Sequence, residues 1–103
     1  MKRGALVLTP FPFTDLSGTK VRSAVDVILA FISSVKPPTL LPTDLSIPTS
    51  HPDFPGSGLK VASIVKCDKL ATVQRRIIFG ELGVLSPALL VELNACLRMA
   101  LGL

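Results

Sequence analysis

Residues 20–33, KVRSAVDVILAFIS, form the most apolar strand-like segment of the chain, and their conformation decides the fold. Residues 21–25 alternate in part between the two sides of a strand, which is typical of a strand with one buried face. After Asp26 the run is almost wholly apolar, as in a strand buried on both faces. Fourteen residues exceed the usual five or six of a strand. The segment therefore either bends or contains two strands joined near residues 24–26.

Shorter strands are predicted on both sides of this segment. Apolar runs and alternation indicate three of them: residues 5–9 (ALVLT), 59–70 (LKVASIVKCDKL) and 75–82 (RRIIFGEL, ending near Gly83). Residues 10–19 are a turn-rich loop. Residues 35–58 hold six of the nine prolines and predict a long loop with a short edge strand at 44–47. A loop of that length usually covers or binds something.

The C-terminal segment predicts an amphipathic helix. Ser86 is a suitable N-cap, Pro87 fits the first turn and Gly102 ends the helix. A stripe of leucines marks its buried face: Leu90, Leu93, Leu97 and Leu101, with Leu89, Cys96 and Ala100 beside it. Short strands followed by one such helix predict a mainly β, barrel-like fold with a C-terminal helix, in a single domain over residues 1–103.

Composition narrows the class of function. Hydrophobic residues make up 49% of the chain and the net charge is +4, which favours a packed core and an anionic partner. Trp and Tyr are absent, so a base-stacking platform is disfavoured. Cys67 and Cys96 have no metal-ligand spacing, and the N-terminus does not fit a secretion signal, so we expect a cytoplasmic protein. No apolar run approaches the roughly 18 residues of a membrane span.

The residue types disfavour metal, cofactor and triad chemistry. His51 is the only histidine and lies in the proline-rich loop, no nucleophile-elbow glycines surround a serine, and no phosphate loop is present. What remains is a set of cations, hydroxyls and one carboxylate: Lys20, Arg22, Ser33, Ser34, Lys66 and Asp68. Such a set suits RNA cleavage by the adjacent 2′-hydroxyl, because the substrate supplies the nucleophile and the protein orients the phosphate, stabilises charge and moves protons.

Four ordered blocks of the chain resemble MazF/PemK-type toxins of toxin–antitoxin pairs. They are KRGALVLTPFPFTDLSGTKVRSA, DVILAFISS, SGLKVASIVKCDKLATV and GELGVLSPALLVELNACLRMALGL, which together span most of residues 2–103. The resemblance implies a small SH3-like β-barrel with a C-terminal helix, usually in a homodimer. It also implies a growth inhibitor that binds nucleic acid, DNA included, and cleaves single-stranded RNA without a metal or other cofactor until a cognate antitoxin blocks it.

The resemblance also assigns roles to individual residues. Arg22 matches the family's catalytic arginine, and Ser33 matches the strand-end hydroxyl that helps to bind and activate the phosphate. Lys66, Cys67 and Asp68 match a basic-Cys-Asp segment of some members, with lysine in place of arginine. We therefore expect catalysis by Arg22, Ser33 and Asp68, and substrate binding by Lys20, Ser34 and Lys66. In the alternative interpretation Lys66 and Asp68 pair with each other, and Arg22 is a solvated strand residue.

The chain departs from the family pattern after Arg22. Ser23 replaces a proline, and about ten residues are missing before Asp26 by comparison with the pattern. The barrel is then either incomplete or completed by strand exchange, because a missing strand leaves an open apolar edge. We expect an intimate or strand-exchanged homodimer, in which residues 20–33 extend out of one subunit. The alternative function is a catalytically inactive module that binds an antitoxin or dimerises.

Overall fold

The computed structural model describes residues 3–9 and 26–103 of the chain, and Lys20 and Arg22 lie outside these ranges. The strands are β1 (Ala5–Leu8), β2 (Asp26–Ser33), β3 (Asp44–Ile47), β4 (Ser63–Gln74) and β5 (Gly80–Val84). The helices are α1 (Phe54–Ser57) and α2 (Pro87–Leu101), and a 3-10 turn spans Arg75–Ile77.

β4 is the centre of a three-stranded antiparallel sheet. It pairs with β2 on one side and with β3 on the other, so the strand order is β2-β4-β3. Its first half lies between both neighbours, while its last residues, 70–74, pair only with residues 26–30 of β2. β1 and β5 form a separate antiparallel pair. The sheet is therefore three strands wide at one end and two strands wide at the other.

The two faces of this sheet differ in composition because side chains alternate along each strand. Ile32, Val65 and Leu45 are paired across the three strands and contribute to the core. Leu89 and Leu93 of α2 belong to the same buried cluster, so the helix covers this face. The next residue along each strand points to the other face, which α2 leaves uncovered.

The main fold predictions are confirmed. β1 lies within the predicted apolar run, and the short edge strand occurs at Asp44–Ile47. β2 begins at Asp26 and continues to Ser33, while the predicted bend at residues 24–26 lies largely outside the described residues. The fold is mainly β with a C-terminal helix, and its described strands form two open sheets, as expected for an incomplete SH3-like barrel.

The predicted strand at residues 75–82 is wrong in its position. Arg75–Ile77 form a 3-10 turn, and the strand starts later, at Gly80, and runs through Gly83 to Val84. Gly83 does not end the strand. A Cβ there would lie 2.5 Å from the Ser57 carbonyl carbon, so glycine instead allows β5 to approach α1 closely.

α2 has the predicted ends and a slightly rotated apolar face. The Leu89 N–H donates to Ser86 Oγ at 3.2 Å, which caps the first turn. Gly102 takes a left-handed conformation with φ 72° at the other end. Leu89 and Leu93 are the fully buried residues, whereas Leu101 is 58% exposed. The predicted stripe is therefore correct in its middle and wrong at its last leucine.

Gly58→Ala is expected to destabilise the fold by about 2–4 kcal/mol, a fall in Tm of roughly 10–20 °C. Gly58 has φ +77°, and an added Cβ would lie 2.0 Å from the Leu82 carbonyl oxygen, so backbone must move. Gly56→Ala is the matched control, because an added Cβ there meets nothing within 4 Å. Thermal unfolding followed by circular dichroism measures both. Equal Tm values for the two variants would contradict this account of the contact between α1 and β5.

Candidate functional site

The face of the three-stranded sheet opposite α2 carries the polar residues of the candidate site. Ser33 pairs with Ile64, which pairs with Ser46, and Lys66 pairs with Phe31 and with Asp44. These cross-strand partners share one face. We call the surface formed by Ser33, Asp44, Ser46 and Lys66 the polar face. It lies opposite the face that α2 covers.

Ser33 is the last residue of β2, where the chain leaves the sheet. Its Oγ accepts a hydrogen bond from the Val35 N–H at 3.1 Å, which holds the hydroxyl in a tight turn. The side chain is half-buried, and Ser34, the next residue, is exposed. A hydroxyl that accepts one hydrogen bond retains a proton to donate. Ser33 can therefore donate to an anion bound on the polar face.

Lys66 extends from the central strand on the same face, with its head group beside β3. Its Nζ lies 4.0 Å from Asp44 Oδ1, and its side chain is 20% exposed. Because Ser33 is opposite Ile64, it is the diagonal neighbour of Lys66. Diagonal neighbours in antiparallel sheets lie about 7–8 Å apart, within reach of a long side chain. A hydroxyl donor and an ammonium thus lie on the same face of two neighbouring strands, with the ammonium beside β3.

Asp68 lies in a bulge that directly follows Lys66. Phe31 pairs with Lys66 and Ala30 pairs with Leu70, so residues 67–69 have no partner in β2. The Cys67 N–H donates instead to the Thr43 carbonyl oxygen at 3.0 Å, and its side chain is fully buried. Asp68 is exposed. The bulge therefore brings a solvent-accessible carboxylate to the edge of the polar face.

Cys67 is a buried thiol of the core, and Cys96 is a half-buried thiol packed against it. Burial is the main cause that raises the pKa of Cys67 to about 11, with smaller contributions from Cys96, Asp44 and Asp68. Burial also raises the pKa of Cys96. A thiol with a raised pKa carries little thiolate at neutral pH and reacts slowly. Within residues 3–9 and 26–103, no three His, Cys, Asp or Glu side chains are grouped closely enough to hold a metal ion.

His51 has structural partners away from the polar face. Its Nδ1 accepts the Asp53 N–H at 3.0 Å, and its Nε2 lies 3.8 Å from Glu92 Oε2. The Ser86 hydroxyl donates to Asp53 Oδ2 at 2.6 Å. These contacts fasten the proline-rich loop to the first turns of α2, in keeping with the interpretation of His51 as a loop residue.

Of the six predicted site residues, Ser33 and Lys66 lie on the polar face, Asp68 lies in the bulge that follows Lys66, and Ser34 follows Ser33. Lys20 and Arg22 lie outside the described residues, so their roles stay predictions. The alternative pairing of Lys66 with Asp68 is replaced by the pairing with Asp44. Sequence reasoning missed Asp44, although it is the only acidic residue between Asp26 and Asp53. That isolated carboxylate in a short apolar strand was the available signal.

These features define a class of small β-sheet proteins with a C-terminal helix. Hydroxyl, ammonium and carboxylate groups lie on the face of the sheet opposite that helix. The family model described as "PemK-like, MazF-like toxin of type II toxin-antitoxin system" matches residues 2–101. The chain belongs to this family. No curated protein sequence matches it.

Solved structures of mycobacterial proteins have the same fold. An endoribonuclease in complex with its cognate antitoxin, from a mycobacterial species, is 20% identical with a TM-score of 0.70, over 98% of this chain and 94% of that one. The Mycobacterium tuberculosis toxin MazF-mt6 is 19% identical with a TM-score of 0.64, over 96% and 85%. Another mycobacterial endoribonuclease is 24% identical with a TM-score of 0.59, over 76% and 65%. At these identities the likeness concerns the fold.

The helices of the described residues are also too short or too polar to be candidates for crossing a membrane.

Proposed function

We propose that this protein is an endoribonuclease toxin that cleaves single-stranded RNA without a metal ion. The observation that carries the proposal is that Ser33 and Lys66 lie on one face of the sheet, opposite α2, with Asp68 in the adjoining bulge. Family membership supports it. Two of the structurally similar proteins are described as endoribonucleases, which agrees with it.

The proposed reaction is an internal transesterification. The 2′-oxygen of the substrate forms a bond to the adjacent phosphorus, and the bond from phosphorus to the 5′-oxygen breaks. Ser33 donates to a non-bridging oxygen, Lys66 attracts the phosphate, and Arg22 stabilises the charge of the phosphorane and assists proton transfer. Asp68 shares the acid–base work by accepting the 2′-hydroxyl proton, and the leaving 5′-oxygen takes a proton from solvent water. The products carry a cyclic phosphate and a 5′-hydroxyl.

Lys20 and Ser34 complete the proposed substrate site. Lys20 attracts the RNA backbone, a contribution that weakens as salt concentration rises. Ser34 is exposed beside Ser33, where it can contact the nucleotide that follows the scissile phosphate. Both residues contribute to binding more than to the chemical step.

The proposed partners are a cognate antitoxin and a second copy of the chain, in the cytoplasm. One of the structurally similar toxins is in complex with its antitoxin. The narrow end of the three-stranded sheet supports the homodimer, because Ile28 of β2 and Leu70 of β4 are 71% and 37% exposed there and adjoining apolar surface favours association. Whether the dimer forms by strand exchange depends on residues 20–33, part of which lies outside the described ranges.

The test is cleavage of single-stranded RNA in the presence of a chelator. We expect cleavage of the all-ribose RNA, and we expect a single 2′-deoxy substitution at the cleaved position to abolish it, since the nucleophile is then missing. Products are identified by mass, with a cyclic phosphate as the expected end. A wild-type chain that cuts neither RNA, yet binds an acidic antitoxin, would establish the alternative function as an inactive interaction module.

A further inference from the structure

Asp44 is a buried carboxylate on the polar face. Its side chain is 1% exposed, and it opens the edge strand β3. Oδ2 accepts the Leu41 N–H at 3.0 Å, while the Asp44 N–H donates to the Leu41 carbonyl oxygen at 2.9 Å. One carboxylate oxygen is therefore used to close the turn that leads into β3.

The other oxygen, Oδ1, is buried and accepts no hydrogen bond from the residues that the structure describes. Lys66 Nζ lies 4.0 Å from it, a separation of opposite charges without a direct hydrogen bond. A buried carboxylate oxygen without a partner is costly, and a nearby cation reduces that cost. The arrangement thus favours a position of the Lys66 head group beside Asp44, on the face of the sheet that carries Ser33.

We propose that Asp44 is a positioning residue that holds the Lys66 ammonium over the polar face for contact with an RNA phosphate. The inference rests on the proposed function and identifies what orients one of its binding groups. A lysine side chain loses considerable rotamer freedom when it is fixed. A buried carboxylate that restricts the head group before RNA arrives lowers that loss at the moment of binding.

The Asp44→Asn substitution distinguishes the positioning of Lys66 from the role of Asp44 in the turn that leads into β3. An asparagine side-chain oxygen still accepts the Leu41 N–H, so the turn is retained. The amide NH₂ then replaces Oδ1 and offers donors where Lys66 needs an acceptor. The variant also removes a negative charge, which by simple electrostatics would strengthen RNA binding. A weaker affinity is therefore the opposite of what the change in net charge predicts.

The experiment measures the Kd of an uncleavable RNA that carries the 2′-deoxy substitution, for wild type, Asp44→Asn, Lys66→Met and the double variant. We expect Asp44→Asn to weaken binding about 10-fold, a coupling in the ordinary range for contacting groups. We expect it to have no effect in the Lys66→Met background. Glu92→Gln is the matched control, since it also removes one negative charge, but from an exposed side chain on α2. Its affinity for the RNA should equal or exceed that of wild type.

Three results would overturn the inference: unchanged or tighter binding by Asp44→Asn, an equal loss in the Lys66→Met background, or a wild type that does not bind the RNA. Thermal unfolding of the same four proteins supplies an independent readout. Lys66→Met alone leaves the buried Asp44 uncompensated, so we expect its Tm to fall and the double variant to recover stability. Failure of the cleavage assay alone would reject the nuclease activity and leave this binding cycle to decide the role of Asp44.

Discussion

Ser33→Ala is expected to lower the rate constant of RNA cleavage by about 10²–10³-fold, the usual cost of removing one preorganised donor to a developing oxyanion. The Ser33 hydroxyl is held by the Val35 N–H at the end of β2, so it is oriented before the substrate binds. The alanine variant should keep its fold, because the residue is half-buried and lies at a strand end. Single-turnover kinetics on a fluorescent RNA, with Tm measured in parallel, check the prediction.

Ser46→Ala is the matched control for this variant. Ser46 lies on the same face, on the other side of Ile64, and is exposed. Its removal changes the same number of atoms without removing a group assigned to the reaction, so cleavage should remain within about twofold of wild type, since exposed substitutions of this kind have small effects. Equal loss in both serine variants would show that a hydroxyl at residue 33 has no specific role. Ser33→Thr, which keeps the hydroxyl, should retain part of the activity.

Arg22→Ala is expected to reduce cleavage by about 10³-fold or more, the scale of an arginine that neutralises charge at a phosphoryl transition state. The guanidinium can donate two parallel hydrogen bonds to a phosphate and remains charged at any physiological pH. Arg22→Lys keeps the charge but loses the planar fork, so we expect only partial recovery. The single-turnover assay measures all three proteins under conditions of saturating enzyme.

Arg98→Ala controls for the loss of one positive charge, because Arg98 is exposed in the last turn of α2. We expect its cleavage rate to stay near that of wild type, with a small loss of stability from the helix dipole, on the order of 0.5 kcal/mol. Residual activity that is the same in wild type and Arg22→Ala would indicate a contaminating nuclease. An Arg22→Ala protein that cleaves at an intermediate rate with an unchanged Tm would move the main electrostatic role to another residue.

The sequence predicted those elements whose signals are local. α2 has a capping serine, an early proline and a terminal glycine, and each acts on the neighbouring turn alone. Edge strand β3 was predicted between two prolines, which bracket a short extended segment. Ser33, Lys66 and Asp68 were predicted through residue patterns, and the pairing of β2 with β4 brings them to one region.

Features that depend on pairing between distant segments were not predicted. The role of Asp44 follows from its register opposite Lys66, and nothing in residues 41–47 specifies that register. The bulge at residues 67–69 was not predicted because the sequence KCDKL has the alternating pattern of a regular strand. The strand predicted at residues 75–77 was wrong for a related reason. β-Branched isoleucines favour an extended chain, but the chain turns here before it pairs with β1, and it forms a 3-10 turn.

The bulge in β4 also separates a part of the sheet with high local stability from a part with low local stability. Residues 64–66 are paired with a strand on each side and lie beside the core that α2 covers, whereas residues 70–74 pair with β2 alone. Isolated two-stranded ribbons have little stability of their own. The ribbon can therefore fray and reclose many times while the remainder stays folded, as low-stability segments of native proteins do. Such local opening would repeatedly break and re-form the surface around Ile28 without global unfolding of the protein.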